Sequence, residues 1–243
     1  MEKQSIPATL EVLTVRGPWD KCIRELEQTD VQPTTTEELF AARILDAHAK
    51  GDYKQSELCM SGSWVGEGLF YRRSGDILVA SRDYNLLLKN PQQATADNSK
   101  GSEYFSNTRE EKTLLERAER DPDEALKSGV LLLLRKDIPN AIPVSALDEH
   151  PYSRFLAKSQ AKPYGELLHG AADIKEIPVY IVGADYAKKQ KAAFGRALWV
   201  NDLISRSYLD GYSYYLHSNN GRVRGVRWMP AGQAAEVSRA SAV

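Results

Sequence analysis

Short hydrophobic segments recur along the chain and predict the strands of a small sheet. Residues 10–16, LEVLTVR, alternate as in a strand with one buried face. Residues 64–72 and 77–80 predict a hairpin, because a Ser-Gly-Asp turn signal separates them. The aliphatic residues 130–134 and the run 177–182, IPVYIV, predict two strands that are buried on both faces.

Helix signals lie between these strand segments. Residues 34–38, TTTEE, form a capping-box signal for a helix that ends at Gly51. Residues 109–120 predict a strongly charged helix, and residues 121–124, DPDE, begin a further short one. Together the two sets of segments predict an α+β fold in which several helices pack on a small mixed sheet.

The C-terminal part, residues 185–228, holds the densest mixture of basic and aromatic residues in the chain. Residues 185–207 predict one long amphipathic helix with Asp185 as its N-cap. Residues 212–228 predict a β-hairpin that turns at Asn220-Gly221, because a type I′ turn requires positive φ at both central positions. The fold prediction therefore ends with a long helix followed by a hairpin.

The polar face of this predicted helix combines cations with an indole. A helical wheel at about 100° per residue places four residues opposite the apolar arc and a fifth beside them: Lys188, Lys191, Trp199 and Arg206, with Arg196 to one side. Gly195 lies one turn before Trp199 and indicates close approach of another group, since glycine costs about 1 kcal/mol against alanine inside a helix. The alternative is that Trp199 packs under a neighbouring loop and Gly195 makes room for it.

The predicted hairpin would display a second basic and aromatic set. Its register puts four residues on one face of the ribbon, namely Tyr215, His217, Arg222 and Arg224, and assigns Tyr212 and Tyr214 to the core face. Arginines form forked hydrogen bonds to phosphates, and tyrosines stack on bases. The alternative is an edge hairpin whose arginines keep it soluble.

These two faces predict a nucleic-acid-binding or nucleic-acid-processing protein, with RNA or DNA as its partner. A net charge of −1 gives no global attraction to nucleic acid, so a local basic patch is required. His217 is the one candidate catalytic residue, because neighbouring arginines would keep it neutral and able to act as a base. No motif fixes a reaction, so enzymatic activity stays open, and no cofactor is expected.

Two other functions remain open. The first is an enzyme for a phosphorylated or carboxylated small molecule, with a pocket between residues 61–68, residues 144–152 and the basic helix. The second is a non-enzymatic subunit or scaffold of a protein complex, in which Trp199 and the tyrosines anchor an interface.

The remaining signals bear on location and organisation. The two cysteines, Cys22 and Cys59, belong to no metal-binding motif, so they are expected as reduced thiols and no metal site is predicted. No segment resembles a secretion signal or a membrane span, which predicts a cytoplasmic protein without a membrane partner. Residues 1–228 are expected to form a single globular domain, with residues 90–106 as the place of any subdivision, and residues 229–243 a disordered tail.

Overall fold

The computed structural model describes residues 9–97, 109–211 and 215–229, which form an α+β fold. The strands are β1 (Thr9–Arg16), β2 (Ser63–Tyr71), β3 (Ile77–Ala80), β4 (Val130–Leu133), β5 (Ala141–Pro143), β6 (Glu176–Tyr180), β7 (Phe194–Val200), β8 (Leu209–Asp210) and β9 (Arg222–Met229). The helices are α1 (Trp19–Gln28), α2 (Thr36–Lys50), α3 (Leu86–Lys89), α4 (Pro91–Asp97), α5 (Arg109–Arg120), α6 (Pro122–Lys127), α7 (Pro151–Ala157), α8 (Ala161–Ala172) and α9 (Ala184–Lys189).

The strands of the described residues form one mixed sheet with β2 near its centre. Their order is β1-β9-β2-β7-β8-β6-β5, with β3 paired to both β2 and β4. The pairs β2–β9 and β6–β8 are parallel, and the other pairs are antiparallel. This confirms the predicted α+β class with a mixed sheet, and it confirms the β2–β3 hairpin.

Helices cover both faces of the sheet. Along β2, Val65, Leu69 and Tyr71 belong to one hydrophobic cluster, whose helical residues come mainly from α2, α7 and α8. Trp64 and Phe70 belong to the other, which includes residues of α1, α3, α4, α5 and α6. Because successive side chains of a strand point to opposite faces, all nine residues of β2 are buried.

The structure confirms the helix-capping signals that the sequence predicted for α2 and α6. In α2, Thr35 Oγ1 accepts a hydrogen bond from the Glu38 amide at 3.2 Å, and Glu38 Oε2 accepts one from the Thr35 amide at 2.8 Å. Gly51 ends that helix in the left-handed conformation. Asp121 caps α6, and Pro122 occupies its first turn. These contacts lie within a few residues, which is why the sequence alone could indicate them.

The predicted long helix over residues 185–207 is wrong. Only α9 is helical there, and residues 194–200, FGRALWV, form β7, a central strand with every residue buried. A short apolar run that contains β-favouring Phe, Trp and Val fits a strand covered on both faces as well as a helix. Gly195, unfavourable in a helix, lies in β7 beside the ring of Phe70.

The predicted C-terminal hairpin is also wrong. Strand β9 pairs with β1 in antiparallel register, with Arg222 opposite Arg16 and Arg224 opposite Thr14. Gly221 does not adopt positive φ. A Cβ atom at Gly221 would instead lie 2.1 Å from the Trp64 ring, so this glycine allows close approach to an indole. The Asn220-Gly221 pair favours a hairpin turn locally, but β9 instead pairs with β1, which lies far away in the sequence.

Several other predictions fall partly outside the described residues. Tyr212, Tyr214, residues 98–108 and residues 230–243 are not described. The first part of the predicted loop 90–106 is helix α4. Strand β6 is exposed at both ends rather than buried throughout.

No helix in the described ranges is long and apolar enough to cross a lipid bilayer. The cytoplasmic location and the single-domain organisation stay predictions.

Candidate functional site

Trp199 lies in the core rather than on a surface. Its side chain is 6% exposed, and its ring forms an edge contact with Trp64 at 5.5 Å between centroids. Trp64 makes a second edge contact with Trp19 at 5.7 Å. The indole nitrogen of Trp199 donates to Asn201 Oδ1 at 3.3 Å. Trp199 is therefore buried against neighbouring elements and cannot stack on a base. This agrees with the alternative interpretation from the sequence, in which Trp199 packs against a neighbouring part of the chain.

Arg222 and Arg224 hold the segment that precedes β2. Arg222 Nη1 donates to the Gly62 carbonyl at 3.3 Å, and Arg224 Nη1 donates to the Ser61 carbonyl at 3.2 Å. Arg43 Nη2 donates to the same Ser61 carbonyl at 3.1 Å. Burial, followed by repulsion from Arg43 and Arg222, lowers the pKa of Arg224 to about 9. Arg224 is fully buried and unavailable to a phosphate.

Arg196, Tyr215 and His217 do lie together. The Arg196 guanidinium is 5.9 Å from the Tyr215 ring centroid, and the Tyr215 and His217 ring centroids are 5.6 Å apart. Arg196 is only 5% exposed, however, because it belongs to β7. His217 was proposed as a base because of Arg222 and Arg224, which are instead bound at Gly62 and Ser61.

The remaining cations of the predicted surface lie elsewhere. Lys188 is exposed on α9, where its carbonyl accepts a hydrogen bond from Arg73 at 3.4 Å. Lys191 follows α9 in an exposed turn. Arg206 is exposed in a left-handed backbone conformation with φ of 63°. The structure therefore does not join the nine predicted residues into one surface, because Trp199 and Arg224 are buried, Arg222 binds a backbone carbonyl, and the exposed cations Lys188, Lys191 and Arg206 lie apart from the Arg196–Tyr215–His217 group.

A cavity of about 720 Å³ opens on another part of the molecule. Its apolar walls are Tyr84, Leu126, Leu131, Pro151 and Phe155. A concave site of several hundred Å³ with apolar walls and a few polar groups is the usual form of a small-molecule site.

Glu67 of β2 is the most buried of the residues that line this cavity, with 4% of its surface exposed. Its two carboxylate oxygens accept hydrogen bonds from the Thr36 amide, Oε1 at 2.9 Å and Oε2 at 3.1 Å. Burial raises the pKa of Glu67 to about 7, although the Thr36 amide opposes this shift. Near neutral pH the group is therefore present both as an acceptor and as a donor.

An irregularity of β2 positions Glu67. The pairing register with β7 shifts between Trp64 and Gly68, and such bulges re-aim side chains. Gly66 permits the side chain of Arg82 to pack closely against the strand, since a Cβ atom there would lie 3.1 Å from it. The side-chain amide of Asn85 donates a hydrogen bond to the Gly66 carbonyl at 2.8 Å, which ties the turn after β3 to this part of β2.

Arg82 forms a wall of the same cavity. Its Nη1 donates to Glu38 Oε2 at 2.9 Å and to the Pro33 carbonyl at 3.0 Å. Its Nε is buried and has no hydrogen-bond partner among the described residues. A buried donor without a partner costs about 1–3 kcal/mol, so Arg82 has an unused donor beside the cavity.

Helix α7 contributes one face to the cavity. Pro151, Arg154 and Phe155 are at positions i, i+3 and i+4, and Lys158, which caps the helix, is at i+7. Residues at this spacing share one side of a helix. Lys158 has φ of 44° and ψ of −119°, a rare conformation for a residue other than glycine. Such strain is concentrated at functional sites.

Sequence reasoning singled out the neighbours of Glu67 and overlooked Glu67 itself. Residues 61–68, SGSWVGEG, were predicted to form one side of a pocket for a phosphorylated or carboxylated small molecule. A lone carboxylate between two glycines of a buried strand is the signal that could have indicated the site. The cavity contains Glu67 from this segment and Pro151 from the 144–152 loop, whereas the predicted basic helix contributes nothing to it.

Comparisons with known proteins bear on the fold. No protein-family model matches the sequence, and no curated protein matches it. A solved structure matches with 18% sequence identity and a TM-score of 0.59, covering 90% of this chain and 98% of the other. That structure concerns the accommodation of massive sequence variation in Nanoarchaeota by the C-type lectin fold. The fold of this chain is similar to the C-type lectin fold.

The prediction of a nucleic-acid-binding or nucleic-acid-processing protein is therefore wrong. Similarity to the C-type lectin fold points away from it. The geometry agrees, because Trp199, Arg196 and Arg224 are buried and the helix and hairpin that were to present them do not form. Neither RNA nor DNA is supported as a partner by this arrangement.

Proposed function

We propose that this chain is a ligand-binding protein that holds a small saccharide in the Glu67 cavity. The observation that carries the proposal is the buried Glu67 carboxylate in the lining of a cavity with apolar walls. Saccharides present hydroxyl groups beside apolar C–H faces, so they need both acceptors and apolar or aromatic walls.

The contacts of Glu67 leave capacity for such a ligand. A carboxylate offers about four lone-pair positions, and the donors around this one belong to Thr36 and to the backbone of Glu67 itself. Tyr84 and Phe155 provide aromatic surface in the same cavity. Similarity to a fold named for lectins supports the choice of a saccharide over other hydroxylated molecules.

Isothermal titration calorimetry against a panel of neutral and acidic mono- and disaccharides tests this proposal. We expect wild type to bind at least one probe. At a pH above the Glu67 pKa of about 7, where the carboxylate is mainly ionised, Glu67→Gln should weaken binding about tenfold or more, as the loss of a charged hydrogen-bond acceptor does. Glu166→Gln is the matched control, since Glu166 is exposed on α8 and does not line the cavity.

A second pair of variants tests the location. Leu126→Trp at the cavity should obstruct binding, whereas Leu134→Trp should not, although the two leucines are similarly exposed at 42% and 41%. The proposal is wrong if no probe binds, or if Glu67→Gln and Leu126→Trp both bind as wild type does.

A further inference from the structure

The mouth of the Glu67 cavity carries more positive than negative side chains. Lys127, Arg154 and Lys158 lie there and are exposed, whereas the exposed acid is Asp83. Lys127 and Arg154 form no side-chain ion pair with any described residue. Lys158 lies 3.5 Å from Glu37, in a pair whose lysine side chain is 60% exposed. Exposed pairs of this kind are weak and can be exchanged for a ligand.

Arg154 and Lys158 line the same cavity as Glu67, but they are exposed whereas Glu67 is buried. Arg154 and Lys158 share the face of α7 that also presents Phe155 to the cavity. The turn at Lys158 is held by Glu37, whose Oε1 accepts from the Ser159 amide at 3.3 Å and from its hydroxyl at 2.8 Å. The cations are thus among the exposed residues of the lining, and the Glu67 carboxylate belongs to its most buried residue.

We infer that the ligand is an acidic saccharide, whose carboxylate binds Arg154 at the mouth while its hydroxyl groups face Glu67. This inference rests on the proposed function and specifies its ligand class. An arginine can bind a carboxylate through two parallel hydrogen bonds, which a lysine cannot do. Lys127 and Lys158 add attraction without fixed geometry. A ligand in the reverse orientation would bring its carboxylate beside the buried Glu67, where two carboxyl groups cannot both ionise without cost and one of them must hold a proton.

Pairs of sugars that differ only in oxidation at C6 isolate the charge. The probes are glucose with glucuronic acid, and galactose with galacturonic acid, titrated by calorimetry at low and at high ionic strength. We expect the acid of a pair to bind at least about tenfold more tightly than the neutral sugar at low ionic strength. This preference should shrink at high ionic strength, because the cations are exposed.

Arg154→Gln should remove most of the preference for the acid, measured as the ratio of the two affinities within each pair of sugars. Lys162→Gln on α8 is the matched control, since it removes an exposed cation that does not line the cavity. Thermal unfolding of both variants checks that they fold.

The outcomes separate this inference from the proposed function. Equal affinity for neutral and acidic sugars, or an unchanged preference in Arg154→Gln, would overturn the acidic ligand while leaving saccharide binding intact. Absence of binding by every sugar would overturn both.

Discussion

The Thr36 amide hydrogen lies between the two carboxylate oxygens of Glu67, with N···O distances of 2.9 and 3.1 Å. This contact joins the first residue of α2 to the central strand β2. It satisfies a backbone donor that has no partner within its own helix. The same carboxylate faces the cavity, so one residue connects the sheet, the helix and the candidate site.

Stability should depend on pH through Glu67. Its pKa is raised from 4.5 to about 7 by burial, so the folded state binds a proton that the unfolded state has released. The resulting stabilisation is complete below about pH 4.5 and is lost as the pH rises through about 7, a change of about 3 kcal/mol. Urea unfolding from about pH 5 to about pH 8 measures it.

Glu67→Gln is the control for this pH dependence, because glutamine keeps an acceptor for the Thr36 amide and does not titrate. The pKa of His150 is lowered by burial, which contributes a slope of opposite sign. The informative quantity is therefore the difference between the two proteins, which should favour Glu67→Gln increasingly as the pH rises. A difference independent of pH would contradict the buried, titrating carboxylate.

Gly221→Ala should destabilise the fold by about 3 kcal/mol, as overpacking of a core does. The added methyl group would lie 2.1 Å from ring atoms of Trp64, which is fully buried and cannot move away. Gly170→Ala in α8 is the matched change, since nothing lies within 4 Å of its added carbon. That substitution should stabilise the helix by up to about 1 kcal/mol. Chemical denaturation compares the two, and equal effects would contradict the close contact.

Trp199→Ala should cost about 4 kcal/mol of unfolding free energy, because it leaves a cavity among packed indoles. Ile204→Ala, at a side chain that is 69% exposed, should change stability by less than about 0.5 kcal/mol. Size-exclusion chromatography of folded protein should show no change of oligomeric state in either variant. Full stability of Trp199→Ala together with altered self-association would instead indicate an interface.

Lys158→Gly should stabilise the protein by about 1 kcal/mol relative to Lys158→Ala. Glycine adopts the observed φ of 44° and ψ of −119° without steric cost, whereas alanine retains the strain. Both variants lose the ion pair with Glu37, so their difference isolates the backbone contribution. Thermal and urea unfolding measure it, and a more stable alanine variant would contradict the strain.

Local signals predicted much of this fold, and long-range pairing accounts for most of the errors. The capping box of α2 and the β2–β3 turn depend on residues close in sequence, and both were correct. The apolar residues of β7 fit a helix and a doubly covered strand equally well until the surrounding sheet is known. Strand β9 pairs with β1, and no local sequence pattern could indicate a partner so distant in the sequence.

The sequence did not predict the candidate site, again because its residues come together only through long-range contacts. Its polar residues come from β2, from the turn after β3 and from α7, which are distant in sequence. Glu67 is informative only once β2 is known to be covered on both faces, because an exposed glutamate in a one-sided strand would be ordinary. The arginines that the sequence emphasised serve the fold, as Arg224 shows by binding the Ser61 carbonyl.

The position of β9 between β1 and β2 has a consequence for folding during synthesis. Strand β1 is made before the other described strands, yet its described partner is residues 222–229. Until those residues emerge from the ribosome, β1 and the adjacent edge of β2 expose unpaired backbone groups, which invite aggregation. We expect the sheet to close only after the last of these residues is available, so that truncation before Arg222 leaves an N-terminal strand that a chaperone can bind.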